Sequence, residues 1–527
     1  MQSRVSGILA AAAVSAIGMS GVSADPGDSW RYGVMTDTQG AGAYPDVSTR
    51  LMEPVVDQFV NEHEIDMLLH VGDLTNDGTR AEKQLWLDTA APIYDAGIPV
   101  AISRGNHDRF AEGIITDGDG NPIGTSTEIW EEKIPVPSQG NYVDGPGASH
   151  YFSYKNMFSI SIDVAGAPPD QLIGWLQGVA LPAAADSQTD HRVLVQHEPY
   201  FGKARQHVLG GEDELQISLI KGMSEAGVDA IYHGHDHQYS RSVAVDEEGD
   251  VLLNHIVTGS NSEKYYRFEE TPNKYERQAV QVNDRVSYSI VDVNGPMVAY
   301  KHYTSVAPDP STTTNWTPEW ELTDRMVYMT NGDQFFVGAK ESFAGLESTS
   351  ESGTIAAITA GTNSTFDSQE TDPDPGDGPP QLVEFGNVVN MGWIDSEEHA
   401  RTVSDILILD GLANDPAGLE SDRYTLELHY DDSAIDDESF LMLAYLDEDT
   451  GDWKRATEGN LPLGLQPASL STLDDGVNVD ENYVWAELNH KASGTRFAVV
   501  AIPEPTSLVL LGVGGLGLLR RRSIARR

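Results

Sequence analysis

Five short clusters of oxygen and imidazole donors stand out along the chain. They are Asp37 with Gln39; Asp73 in Gly72-Asp73-Leu74, with Asn76 and Asp77 just beyond; Gly105-Asn106-His107-Asp108; His197; and Gly234-His235-Asp236-His237. Carboxylates, imidazoles and amide oxygens are the ligand types of hard and borderline cations. The chain has no cysteine, which excludes disulfides, thiolate ligands and cysteine nucleophiles, so any metal must be held by His, Asp, Asn or Gln. His235 and His237 are two residues apart, and in an extended segment both rings point the same way. Singly, each cluster has a plainer reading: Asp37 caps a turn, Asn106 holds a loop, and His197, before Glu198-Pro199, is a hydrogen-bonded core histidine. The case for chemistry rests on where all five fall.

From residue 31 to about 305, short apolar runs alternate with helical stretches. Strands are predicted at Arg31–Thr36, Asp66–Val71, Pro99–Ser103, Met157–Asp163, Arg192–Gln196 and Asp229–Tyr232. Helices are predicted at Leu51–Glu62, Arg80–Ala96, Asp170–Val179 and Glu212–Ala226. This alternation implies βαβ units and a sheet covered by helices. Each donor cluster sits at or just past a strand's end, and neighbouring parallel strands present their carboxyl ends on one rim. Five sequence-distant groups can therefore meet. Ser240–Val245, Leu252–Val257, Val286–Val293 and Met297–Tyr303 follow without clear helices and read as antiparallel strands.

The ordered set of clusters resembles that of the calcineurin-like metallophosphoesterases, in particular the purple-acid-phosphatase-like branch, with Gln39 in place of the family's first histidine. The resemblance spans about residues 31 to 305, roughly half the chain. It implies an α/β fold whose β-sandwich core is flanked by helices (αββα), and hydrolysis of phosphomonoesters or phosphodiesters at a binuclear centre of Fe, Mn or Zn. By the same resemblance, Asp73 bridges two metals, Asp37, Gln39 and His237 complete one, and Asn106, His197 and His235 complete the other. Phosphate esters repel nucleophiles, and two cations about 3.5–4 Å apart neutralise the phosphoryl oxygens and activate a bridging hydroxide. A neutral amide such as Gln39 binds borderline cations less well than imidazole, so the first metal is expected to be looser or harder in preference. His107 is the implied non-ligand catalytic group, with Asp77 or Asp108 as its carboxylate partner. Asn106 and Arg104 are candidates for substrate phosphate, Arg104 equally for a surface ion pair. Tyr239 either lines the pocket or packs as a strand aromatic. Asn76 stands where purple acid phosphatases place a tyrosinate, so no iron–tyrosinate centre is expected.

Residues 109 to 150 form a long Gly- and Pro-bearing insertion over the rim, the expected seat of substrate choice. His150, Tyr200 and His207 are further polar candidates with structural alternatives. Beyond 308, Val327–Thr330, Asn331-Gly332 and Gln334–Val337 read as a hairpin within a connecting segment 309–347. Residues 348–380, rich in Ser, Thr, Gly, Asp and Pro, read as a linker. Ser404–Leu409, Tyr424–Tyr430, Phe440–Leu446, Tyr483–Leu488 and Phe497–Val500 then make residues 381–501 a smaller all-β domain without a catalytic cluster.

Both ends read as processing signals. Arg4, the apolar stretch Gly7–Val22 and Val22-Ser23-Ala24 before Asp25 form a secretory signal peptide cleaved after Ala24, leaving 25–308 as the metallophosphoesterase domain. Residues 502–527, with Pro503-Glu504-Pro505, an apolar run Leu508–Leu519 and Arg520-Arg521-Arg522, resemble the PEP-CTERM sorting signal of Gram-negative bacteria, which an exosortase reads and removes. The apolar run is short for a span, which takes about 20 residues, so membrane contact is expected only in transit. The implied destination is the cell surface or extracellular matrix. The formal charge of −49 repels nucleic acid, so no nucleic-acid partner is expected; the partners are a phosphate ester and the processing enzyme. The competing reading is a surface or matrix protein whose metal domain binds without catalysing. His107, which no metal needs, stands against it.

Overall fold

In the computed structural model the described residues are 29–109, 115–116, 122–124, 126–134, 142–164, 166–202, 213–266, 273–308, 316–363, 382–395, 402–412, 422–431, 435, 438–460, 474–489 and 495–501. The expected signal peptide, the sorting segment 502–527, His207 and residues 364–380 lie outside them.

The period-two alternation of strand side chains builds the layers. In Ser29–Met35, Trp30, Tyr32 and Val34 face one core and Met35 the other; in Met67–His70, Met67 and Leu69 oppose Leu68. These strands run parallel to each other and to Val100–Ile102. Antiparallel Arg285–Asn294, Met297–Val306 and Glu321–Met329 complete a six-stranded sheet. The second sheet has nine strands, with Met157–Ile162, His191–Gln196, Ala230–His233 and Val251–Gly259 parallel at its centre. Val193, Val195, Ala230 and Tyr232 meet the inward face of the first sheet in a shared core, while Phe158, Ile160, Leu194 and Ile231 point outward.

Helices cover both outer faces, giving the expected αββα order. Leu51, Met52, Val55 and Val56 of helix Thr49–Asp57 pack with Leu68 and Ile102 on the first sheet. Ile217, Ile220 and Met223 of helix Asp213–Glu225 pack with Ile160 and Leu194 on the second. Helix Arg80–Thr89 begins at a capping box between Thr79 and Glu82, which satisfies its first orphan N–H groups.

The C-terminal region is a second sandwich, of six and five strands, antiparallel throughout. Leu407, Leu409, Phe497 and Val499 from one sheet meet Ile358, Leu426, Leu428 and Val484 from the other. Two expectations are corrected here. The Asn331-Gly332 turn forms, with Gly332 N–H donating to Met329 O at 3.1 Å, yet its flanking strands do not pair. Glu321–Met329 stays in the body sheet beside Met297–Val306, while Asp333–Gly338 pairs with Gly386–Ile394 of the tail. Val327 N–H donates to Asp410 Oδ2 at 2.7 Å and Asn331 Nδ2 to Trp393 O at 3.2 Å, so tail groups take the contacts a hairpin partner would have made. The linker expected at 348–380 is corrected over its first part. Leu346–Thr349 and Ile355–Thr362 are tail strands, because Ala356 and Ile358 alternate into the core despite polar neighbours. Strand Leu382–Glu384 returns to the body, antiparallel to Glu276–Val282.

Candidate metal centre

Asp37, Asp73, Asn106, His197, His235 and His237 all follow carboxyl ends of parallel strands, and the two sheets bring them to one rim. The loops there are wound tightly. Asp37, Asp73, His235 and His237 have φ of 51°, 53°, 70° and 52°, the left-handed region that non-glycine residues seldom occupy. Such strain persists where the surroundings over-determine it. Asp37 N–H donates to Gly72 O and Gln39 N–H to Asp73 O, both at 3.0 Å, and His235 N–H donates to Asp37 Oδ2 at 2.9 Å. Two glycines are dictated by proximity. A Cβ on Gly105 would lie 2.2 Å from Asp73 Oδ1, and one on Gly234 2.1 Å from Thr36 Oγ1 and 2.5 Å from Asp37 Oδ2.

Two buried donor groups result: Asp73, His197 and His235; and Asp37, Asp73 and His237, the ligand atoms of each lying within 4.8 Å of one another. Asp73 belongs to both. His197 Nε2 is 3.1 Å from Asp73 Oδ2 and 4.0 Å from Asp37 Oδ1, and His237 Nε2 is 3.3 Å from Asp37 Oδ1. The far nitrogens are engaged: His197 Nδ1 with Val71 O at 2.8 Å and His237 Nδ1 with Ser260 Oγ at 3.1 Å, which turns each Nε2 inward. His235 Nδ1 is 2.8 Å from Asn106 Oδ1. Gln39 Nε2 lies 2.9 Å from Asp73 Oδ2 and 3.0 Å from His237 Nε2, while its Oε1 is buried with no hydrogen-bond partner. An orphaned acceptor among two carboxylates and three imidazoles is what a bound cation would satisfy, so the residues present fit metal ions.

The electrostatics of the site point the same way. Burial raises Asp37 to about 7, against the opposing pull of His197. Burial disfavours the His197 cation, but Asp73 and Asp37 outweigh it and raise His197 to about 10. Burial holds His237 well below the ordinary histidine value. Two buried carboxylates thus favour positive charge at this point of the site.

His107 stands beside this centre. Its backbone N–H donates to Asp73 Oδ1 at 2.8 Å, and its ring Nδ1 is 2.7 Å from the backbone carbonyl of Asn76. That carbonyl orients the ring. Asp77 is exposed and accepts from Asn76 Nδ2 at 3.2 Å. Asp108 is buried and knits two site loops together, accepting from Leu74 N–H, Thr75 N–H and Thr75 Oγ1 on Oδ1 and from Gly105 N–H on Oδ2. Arg104 makes the ion pair that its other reading expected, though a buried one: its guanidinium is 2.7 Å from Asp163, which also pairs with Arg109, itself 2.7 Å from Glu198. Tyr239 is a packed aromatic, stacked on His302 with ring centroids 3.6 Å apart and donating to Asp324. His150 and Tyr200 are buried, the former with Nδ1 3.1 Å from Ala148 O.

Residues 31–239 match the calcineurin-like phosphoesterase family, and residues 501–523 match the PEP-CTERM protein-sorting motif. Residues 31–239 of the body thus carry the calcineurin-like phosphoesterase domain. The chain as a whole carries a signal for export and sorting in Gram-negative bacteria, which implies processing by an exosortase. No curated protein matches. Among solved structures, a purple acid phosphatase from yellow lupin (Lupinus luteus) seeds is 14% identical with a TM-score of 0.41, over 56% of this chain and 54% of that one. GAP50, the anchor in the inner membrane complex of Plasmodium, is 15% identical with a TM-score of 0.35, over 55% and 88%. A 5'-nucleotidase precursor from Thermus thermophilus is 12% identical with a TM-score of 0.28, over 56% and 54%. This chain thus spans about half the length of the lupin enzyme.

The phosphoesterase domain contains one group that sequence reasoning passed over. Ser260 to Tyr266, just after strand Val251–Gly259, form a wall of the site: Ser260 backs His237, Tyr266 lies edge-on to the His237 ring at 5.0 Å, and Lys264 Nζ is 3.2 Å from Asn76 Oδ1. A lysine past a strand end carries no motif. Among the described residues no helix is long and apolar enough to cross a membrane.

Proposed function

We propose that this domain hydrolyses phosphate esters after export, with two metal ions held by Asp37, Gln39, Asp73 and His237 on one side and by Asp73, Asn106, His197 and His235 on the other. The observation that carries the proposal is that two buried donor groups share one carboxylate, Asp73. Bound cations of the Fe, Mn or Zn type would neutralise phosphoryl oxygens and lower the pKa of a water. The chain's own residues do the rest. Val71 O and Ser260 Oγ fix the ligand tautomers, the Asp108 and Asp163 networks hold the loops, and Asn76 O orients His107. Burial disfavours the His107 imidazolium and Asp73 favours it. A substrate phosphate arriving beside the ring adds negative charge and tips the balance toward the cation, which then gives a proton to the leaving oxygen. The chain is read as a signal peptide, this domain through strand Glu321–Met329, a crossover, the β-sandwich to 501 and a removable sorting segment, with the processed protein at the surface or in the matrix.

Full-length protein loaded with Mn, Zn or Fe is assayed on an aryl phosphate and on its bis-aryl diester. Turnover that disappears on chelation is expected. Metal shown to be bound, with no turnover of either ester, would favour a binding role and sink the enzyme reading.

A further inference from the structure

The cations that the sequence places nearest the site are spoken for: Arg104 and Arg109 by Asp163 and Glu198, and Lys83 by the carbonyls of Gly78 and Asp108. Lys264 is different in its placement. Its ammonium donates to Asn76 Oδ1, and the backbone carbonyl of the same Asn76 faces His107 Nδ1. One asparagine therefore sets both the proposed proton donor and a fixed positive charge on the same side of the centre. Tyr266, two residues on, touches His237, which places the Lys264 segment against the other donor group as well.

Resting on the phosphoesterase reading, we propose that Lys264, positioned by Asn76, is a substrate-phosphate ligand that favours phosphomonoesters over phosphodiesters. The reasoning is one of charge and oxygen count. A monoester is a dianion with three non-bridging oxygens; with two of them held by the donor groups' cations, the third would be left for the wall where Lys264 and His107 stand. In a diester that position carries an ester group without charge, so the ammonium gains little there. On a protein of net charge −49, a local cation is also what makes room for a dianion.

The test uses the metal-loaded full chain with Lys264→Ala and Lys264→Arg, each checked for metal content and Tm. Lys264→Ala is expected to lose roughly 10- to 100-fold in kcat/KM on the aryl phosphate, the worth of one hydrogen bond to a charged group. The loss on the bis-aryl diester should be at least about tenfold smaller, and Lys264→Arg should lie nearer the wild type on both esters. Affinity for inorganic phosphate, measured by calorimetric titration, should fall in parallel with the monoester loss. Equal losses on the two esters, or unchanged phosphate affinity in Lys264→Ala, would overturn the assignment. Absence of all turnover in the wild type would instead sink the phosphoesterase reading, and the phosphate titration would still decide the role of Lys264.

Discussion

The molecule contains two β-sandwiches that solve the same packing problem and differ in what their strand ends can do. In the tail every pairing is antiparallel, so successive strands exchange direction and their ends scatter to both edges. In the body, Ser29–Met35, Met67–His70 and Val100–Ile102 are parallel, as are His191–Gln196 and Ala230–His233, so their carboxyl ends share a rim. The strain follows the same division. Four of the body's left-handed non-glycine residues are Asp37, Asp73, His235 and His237, all in the donor groups, whereas those of the tail strands and their connections are Lys340 and Asn482, both in turns. Parallel pairing, more than the sandwich itself, is what makes a metal centre possible here.

The largest expected contrast is catalytic. His107→Ala should keep its metals, because the side chain lies outside both donor groups, and lose roughly 10²–10⁴-fold in kcat, the range for a general acid or base. Full activity in that variant, with metal content measured alongside, would remove His107 from the mechanism. The complementary break is in the tail. Leu426 is fully buried between the tail sheets, so Leu426→Ala should cost roughly 2–5 kcal/mol by denaturant unfolding while kcat at 25 °C stays at the wild-type value. A matching loss of kcat would mean that the tail supports the site directly.

The third contrast is a graded one with pH. His233 and His302 are fully buried in the body, and burial lowers both to about 3; burial lowers His150 to about 4. Since an unfolded histidine titrates near 6.5, the unfolded chain takes up the extra protons as pH falls, and stability that is complete above about 6.5 is lost toward pH 4. The slope is about 1.4 kcal/mol per pH unit for each such histidine. All three of these histidines lie in the body. Calorimetric scans at pH 7 and pH 5 should show the body's transition falling; a tail transition that moved first would contradict this.

Much of the site was legible because donor types and strand ends are both written locally. Asp37, Asp73, Asn106, His197, His235 and His237 each follow an apolar run, and the rim follows from βαβ alternation. The misreadings share a cause, since each depended on a partner distant in sequence. Arg104 stays open between phosphate and an ion pair on sequence because its partner Asp163 lies on another strand end. Asp77 and Asp108 looked like the partner of His107 because backbone carbonyls such as that of Asn76 leave no trace in residue type. Asn331-Gly332 encodes a turn but not which strands will pair around it, and the polar run after residue 348 hid the alternation of Ala356 and Ile358.

The central claim, that one carboxylate joins two metal sites, is tested most directly by elemental analysis of purified Asp73→Ala beside the wild type, with turnover measured on the same samples. The account predicts about two metal equivalents and chelator-sensitive turnover in the wild type, and in Asp73→Ala the loss of both metals and of more than the roughly 10²–10³-fold that a single electrostatic stabiliser supplies. An Asp73→Ala protein that kept its metals and the wild-type rate would contradict it.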